Sequence, residues 1–263
     1  MKEQSTFENL LQDPLFKKIL SDIGIHEPTP VQERAIPLIK DHQDVVCQSS
    51  TGSGKTLAFA LPLAEMINQP DGLQVLVLVP TRELCEQVSE ELKKVTKHKK
   101  LNILEVYGGV SIEAQIQKIP RAHVIVATPG RLCDLLNRRA VRLDTIKTAV
   151  LDEADRMLDM GFIKDVGRIL KETSRKRQTL MFSATLPPQI QKIIHRHMRD
   201  PKIVKTKEQV DKQLLKQYYY VVPIRDRFHL LVHLLQEEKA PYAIVFCGTR
   251  RSVDLIAFNL SKN

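Results

Sequence analysis

Ser49-Ser50-Thr51-Gly52-Ser53-Gly54-Lys55-Thr56 follows the apolar run Val45-Val46-Cys47 and precedes a helical pattern over Leu57–Met66. A glycine-rich turn between a strand and a helix is a phosphate cradle. Gly52 and Gly54 let backbone N–H groups face phosphate oxygens with no Cβ in the way. The helix start adds a favourable dipole. Lys55 has the reach for β- and γ-phosphates, and the Thr56 hydroxyl can ligate Mg²⁺. Ser50, Thr51, Gly52, Ser53, Gly54, Lys55 and Thr56 are therefore the candidate nucleotide-binding set. The strict pattern opens on Gly; here a small Ser49 takes that place.

Working outward, Asp152-Glu153-Ala154-Asp155 follows the apolar run Thr148–Leu151. Asp152 at a strand end can hold Mg²⁺ directly or through water. Glu153 can orient and deprotonate an attacking water. An acidic tetrad alone reads equally well as a helix cap; paired with the phosphate loop it describes a site that cuts a phosphoanhydride bond. Lys55, Asp152 and Glu153 are the candidate catalytic residues. Ser183-Ala184-Thr185 follows another apolar run, and its two hydroxyls can hydrogen-bond the tetrad, although the tripeptide alone reads as a simple cap. Pro80-Thr81-Arg82-Glu83-Leu84 and Thr128-Pro129-Gly130-Arg131 each end a strand and open a helix. Free N–H groups there, with Arg and Thr side chains, can clamp phosphate, as can backbone at Gly108-Gly109. Each of these pieces alone reads as helix capping.

The intervening sequence alternates short apolar runs with amphipathic stretches. Strands are expected at Asp44–Gln48, Gln74–Val79, Asn102–Tyr107, His123–Ala127, Thr148–Leu151, Gln178–Phe182 and Lys202–Val204. They are continuously apolar, as strands buried on both faces are. Helices are expected at Leu57–Met66, Arg82–Lys94, Gly130–Leu136, Ile163–Lys171 and Pro188–Met198. The alternation predicts an α/β fold with a parallel sheet covered on both faces, and ligands at the carboxyl ends of its strands. A polar stretch beginning at Thr206 reads as a linker. A second α/β unit is expected beyond it, with strands at Gln217–Val222 and Ala243–Phe246 and helices at Asp226–Gln236 and Val253–Ser261.

The 263-residue chain is 43% hydrophobic and carries a formal charge of +9. That sign suits an anionic partner such as nucleic acid. Cys47, Cys85, Cys133 and Cys247 form no CxxC pair and read as reduced, buried thiols. With no export signal and no long apolar run at hand, a reducing, cytoplasmic setting away from the membrane is expected. His195 and His197, two apart on a helix, point to different faces and form no metal pair. Lys97–Lys100, Arg138-Arg139 and Arg175-Lys176-Arg177 read as solvated helix ends. Tyr218-Tyr219-Tyr220 reads as packing within a strand.

Taken in order, these motifs resemble the DEAD-box family of ATP-dependent RNA helicases, to which the tetrad gives its name. The resemblance covers nearly the whole chain. It implies a RecA-like P-loop NTPase domain over residues 1–205 and a linker at 206–216. Residues 217–263 would then be the start of a second RecA-like domain. It implies ATP and Mg²⁺ as cofactors. Gly24-Ile25-His26-Glu27-Pro28-Thr29-Pro30-Val31-Gln32, with Phe7 upstream, is similar to the family's Q motif. By that likeness Gln32 reads adenine, with Phe7, Ile25 and Thr29 around the nucleotide; the family's usual aromatic after the Gly is here Ile25. The likeness assigns Pro80, Thr81, Arg82, Gly108, Gly109, Thr128, Pro129, Gly130 and Arg131 to sequence-independent contacts with the RNA backbone. It adds Thr249 and Arg250 from Ile244–Arg250, which resembles the first motif of the second domain. Asp155, Ser183 and Thr185 are implied to couple nucleotide state to domain closure.

The family's ARGxD-like and HRxGR-like segments do not occur after Arg250. The chain is thus expected to be a complete nucleotide-binding half with a truncated second half, poorly packed beyond about Gln217. Two functions follow: an RNA-stimulated ATPase that locally unwinds RNA duplexes, or a nucleotide-gated RNA-binding module without efficient turnover. Gln32 in its Pro28-Thr29-Pro30 context, the full tetrad and Thr128–Arg131 argue against a DNA translocase.

Overall fold

A computed structural model describes residues 6–50, 52–206, 216–238 and 241–262. The chain divides into two compact units, Met1–Gln209 and Val210–Asn263. Thr51 and most of the expected linker lie outside the described residues.

The first unit opens with three helices, α1 (Phe7–Leu10), α2 (Leu15–Asp22) and α3 (Pro30–Lys40). Four strand–helix pairs follow: β1 (Val45–Gln48) with α4 (Lys55–Met66), β2 (Val75–Leu78) with α5 (Arg82–Thr96), β3 (Ile103–Val106) with α6 (Ile112–Lys118), and β4 (Val124–Ala127) with α7 (Pro129–Asn137). Next come β5 (Thr148–Leu151), α8 (Ala154–Asp159), α9 (Ile163–Glu172), β6 (Gln178–Ser183), α10 (Pro188–His197) and β7 (Lys202–Lys205). All strand pairs are parallel, in the order β3-β4-β2-β5-β6-β1-β7.

The continuous apolar runs have the expected cause. Alternate residues of each central strand enter two separate cores. Val45 and Cys47, Val75 and Val77, and Leu180 and Phe182 pack under α1 to α5. Val46, Leu76, Leu78 and Met181 pack under α7 to α10. Expected strands and helices match the observed ones to within a few residues. Helices α1, α2, α3, α6 and α8 were not anticipated, being short or, for α3, carrying Pro37. Cys47, Cys85 and Cys133 are buried. Burial pushes the Cys47 and Cys85 thiols up to about 12, so both stay neutral. Cys247 is only partly covered, which corrects its expected core role. Arg177 is 6% exposed and not part of a solvated helix end.

The second unit contains α11 (Arg227–Glu238) and α12 (Arg250–Leu260). Neither helix buries a residue. The strands expected at Gln217–Val222 and Ala243–Phe246 do not form, and Tyr219 and Phe246 are 90% and 91% exposed. Two short apolar runs without further strands beside them gain too little from pairing to hold a sheet. The tyrosines therefore do not pack within a strand.

Candidate functional site

Sheet order sorts the motifs into two sets along one carboxyl edge. β5, β6 and β1 are consecutive neighbours, and they end in the acidic tetrad, the Ser183–Thr185 turn and the phosphate loop. β3, β4 and β2 are also consecutive, and they end in Gly108-Gly109, Thr128–Arg131 and Pro80–Leu84. β2 and β5 are the seam, where the Asp152 N–H donates to the Leu78 carbonyl at 2.9 Å.

In the first set, Gly54 caps α4 in the left-handed region at φ 87°, which turns the loop into the helix start. Lys55 is 7% exposed, and its Nζ donates to the Ser49 carbonyl at 3.1 Å. Ser53 Oγ lies 3.1 Å from Ser49 Oγ. The Ser49 N–H donates to the Ser183 carbonyl, joining the loop to the neighbouring turn. Ser50, Gly52 and Thr56 lie along the accessible side of this loop.

Asp152 is 5% exposed and its Oδ1 accepts the Glu153 N–H at 3.0 Å. Burial pushes its carboxyl up to about 6, against the opposing pull of Lys55. Glu153 occupies the left-handed region at φ 51° without being glycine, a local strain of the kind found where geometry is imposed. Its Oε2 pairs with Arg156 Nη1 at 3.3 Å. Asp155 Oδ2 accepts the Thr185 N–H at 2.9 Å and Thr185 Oγ1 at 3.0 Å, while Ser183 Oγ accepts the Asp155 N–H at 3.1 Å. Burial raises the Asp155 carboxyl, but these bonds outweigh it and hold the group below its usual range. The turn and the tetrad are thus one hydrogen-bonded unit.

Gln32 is 1% exposed. Its Oε1 accepts the Thr29 N–H at 2.9 Å, half of a capping box for α3, and its Nε2 donates to the Gly54 carbonyl at 3.0 Å. The amide expected to read adenine is therefore also a strut between α3 and the phosphate loop. Phe7 is 6% exposed and packs within the core cluster that also holds residues of α3 and α4. Ile25 is partly buried against the same core.

In the second set, Thr81 Oγ1 caps α5 by accepting the Leu84 N–H. Arg82 pairs with Glu86 at 3.0 Å and lies 4.8 Å from the centre of the Tyr107 ring. Arg131 Nη1 donates to the Val110 carbonyl and to Gln115 Oε1, tying its turn to the one after β3. Gly109 has φ 87° and both glycines are exposed. Pro80 and Pro129 are buried behind these turns. In the second unit, Thr249 caps α12, with Arg250 as the helix's first residue.

Sequence reasoning missed Arg156, Glu86, Gln115 and Gln48, whose Nε2 donates to the Ala184 carbonyl. Arg156 was findable from its i,i+3 spacing to Glu153. The others meet their partners only through the fold. A hard cation fits the Thr56 hydroxyl and the buried Asp152 carboxylate, since Mg²⁺ takes one or two protein oxygens and fills the rest with water and phosphate. Among the described residues no group of three or more His, Cys, Asp or Glu side chains is placed to hold a metal. No described helix is long and apolar enough to cross a membrane.

Comparison with known proteins gives a consistent result. The family model described as DEAD/DEAH box helicase matches residues 29–193. The DEAD-box ATP-dependent RNA helicase CshA of Geobacillus kaustophilus is 44% identical over 256 residues, covering 96% of this chain and 55% of the relative. CshA of Bacillus subtilis is 43% identical over 255 residues, covering 96% and 52%. The chain thus spans about half the length of the curated relatives it matches. A crystal structure of a DEAD box protein from Methanococcus jannaschii aligns with a TM-score of 0.75 at 38% identity, over 98% of this chain and 70% of that one. A structure described as a hypothetical ATP-dependent RNA helicase from Sulfolobus tokodaii aligns with a TM-score of 0.69 at 32% identity, over 85% and 72%.

Proposed function

The chain belongs to the DEAD/DEAH box helicase family, and from that premise we propose that it is the ATP-holding part of an ATP-dependent RNA helicase. The observation that carries this reading is the consecutive placement of β5, β6 and β1, which brings the tetrad, the Ser183–Thr185 turn and the phosphate loop to one edge. A cytoplasmic location is part of the proposal, supported by three buried, neutral thiols.

In this mechanism the backbone N–H groups of residues 50–54 hold the ATP phosphates. Lys55 exchanges its Ser49 carbonyl for a phosphate oxygen. Thr56 and Asp152 would hold Mg²⁺, which would supply charge neutralisation at the transferred phosphoryl group. Glu153, braced by Arg156, orients the attacking water and takes its proton. Asp155, Ser183 and Thr185 transmit the state of the phosphates, because their bonds join the tetrad to the strand beside the loop. Gln32 links adenine recognition to Gly54. RNA phosphates lie on Thr81, Arg82, Gly108, Gly109, Thr128, Gly130 and Arg131, with Thr249 and Arg250 contributing from the second unit. These contacts follow the backbone and read no sequence. Local strand separation follows when RNA and nucleotide are bound together.

The test is ATP binding and phosphate release by this chain, with and without single-stranded RNA, beside Glu153→Gln as the blank. ATP binding that Lys55→Ala abolishes is expected. Binding indifferent to Lys55→Ala would overturn the site. Turnover no higher than the blank, with binding intact, would favour the nucleotide-gated RNA-binding reading for this chain.

A further inference from the structure

Away from both motif sets, α9 and α10 pack beside each other under the sheet and leave between them a groove of roughly 1040 Å³. Lys164, Arg168 and Lys171 face it from α9 at i, i+4 and i+7, one stripe of a helix. Lys192 and Arg196 face it from α10 at i and i+4, with Arg199 just beyond. Arg175 and the buried Arg177 close the end nearest the amino terminus of β6. No Asp or Glu lines the groove. Among the described residues, none of these cations is in a salt bridge.

Two facing rails of cations, all solvent-exposed except Arg177, make a strip of positive potential that an anion between them would neutralise. The lining names the kind of anion. Of its apolar members, Leu170, Ile193 and Met198 are 1%, 7% and 8% exposed, already covered by the protein's own core, and only Ile163 is half-buried. A peptide would find one half-buried isoleucine and no deep apolar pocket for an anchoring side chain. The lining also lacks Phe, Tyr and Trp, and His197 is its only ring, so stacking of successive bases is not its main resource. What remains is recognition of a phosphate backbone by charge. The end carrying Arg175 and Arg177 lies at the amino-terminal edge of the sheet, opposite the turns that follow β2, β3 and β4. A strand in this groove is therefore not simply an extension of the first contact.

We propose that the α9–α10 groove is a second RNA-backbone site, sequence-independent and indifferent to the nucleotide state, which tethers the RNA while the motif face opens and closes. It rests on the reading of the protein as an RNA-binding member of its family. It also revises the solvated role expected for Arg175.

The test is fluorescence anisotropy of a labelled single-stranded RNA 20-mer across a salt series, without nucleotide. The groove variant is Lys192→Glu with Arg196→Glu. The control, Lys97→Glu with Arg121→Glu, makes the same charge change at exposed positions elsewhere. Loss of two phosphate contacts is expected to reduce the slope of log K against log salt by about 1.4 and to weaken binding severalfold. The control should keep the wild-type slope. Equal effects in the two variants would show net charge alone and overturn the proposal. So would a groove variant that binds like wild type while Arg131→Glu weakens ATP-dependent RNA binding, which leaves the helicase reading standing. Transfer of the effect to a polyglutamate probe, with RNA binding unchanged, would replace RNA by an acidic protein. No RNA binding by the wild type under any condition would remove both readings together.

Discussion

Gly54→Ala tests whether the adenine-side amide and the phosphate loop are mechanically one device. Gly54 holds φ 87° and ψ 22°, where an L-residue costs about 1–2 kcal/mol. A Cβ there would lie 2.6 Å from Gln32 Nε2, 3.0 Å from Thr29 Oγ1 and 3.2 Å from Thr29 Cγ2. The amide must move, forfeiting its bond to the Gly54 carbonyl, worth about 1 kcal/mol net. The sum is a destabilisation of about 2–3 kcal/mol. Gln32→Ala alone loses the bonds to Gly54 and Thr29 and costs about 2 kcal/mol. In the double variant the 2.6 Å clash has no partner, the approaches to Thr29 remain, and the shared bond is lost only once. It should therefore fall short of the sum of the singles by about 1–2 kcal/mol. The chain has no Trp, so urea unfolding is followed by far-ultraviolet circular dichroism. Additivity to within about 0.5 kcal/mol would refute the coupling and leave Gly54 a purely local backbone requirement.

Three further outcomes are expected. Asp44→Ala removes the acceptor of the Thr179 N–H at 2.7 Å and the Arg199 N–H at 2.6 Å, and should cost about 3 kcal/mol or more in urea unfolding; a loss under 1 kcal/mol would contradict it. Thr185→Ala removes one partly exposed bond to Asp155 while the backbone bond persists; stability should hold to within about 1 kcal/mol. RNA strand separation should fall more than ATP turnover, and an equal fall in both would count against the coupling role. His197 is held below its usual range by burial, then by Arg177, Lys171 and Arg196. The unfolded chain then binds the extra proton first, so stability should drop as pH falls through about 6.5 and level off below the folded value. His197→Gln should show a smaller drop across that window, and an identical drop would assign it elsewhere.

The sheet was legible because its signals are local. Val75–Leu78 and Val124–Ala127 are apolar at every position because both faces are covered, and the glycine and proline turns mark where they stop. The places of the phosphate loop and the acidic tetrad at strand ends were legible for the same reason, each motif following an apolar run. Strand order was not legible: nothing in Val45–Gln48 says that its neighbours are β6 and β7. Hence the Gln32–Gly54 strut and the Arg131–Gln115 tie, which depend on that order, were out of reach. The burial of Phe7 was out of reach for a related reason, since an aromatic upstream of the motif carries no local mark of what its ring packs against. Tyr218–Tyr220 had strand-like composition but no neighbouring strands to pair with, and composition alone does not supply a sheet.

The position of β1 between β6 and β7 has a consequence for the birth of the molecule. Thr179, whose N–H closes on Asp44, is 135 residues downstream of it. At roughly 5–20 residues per second, the strand that carries the phosphate loop waits about 7–27 s on the ribosome before its first neighbour exists. β2, β3 and β4 are synthesised together and can assemble meanwhile. The face assigned to RNA is thus built before the chain can grip a nucleotide, and Val45-Val46-Cys47 is the segment most in need of shelter during that interval.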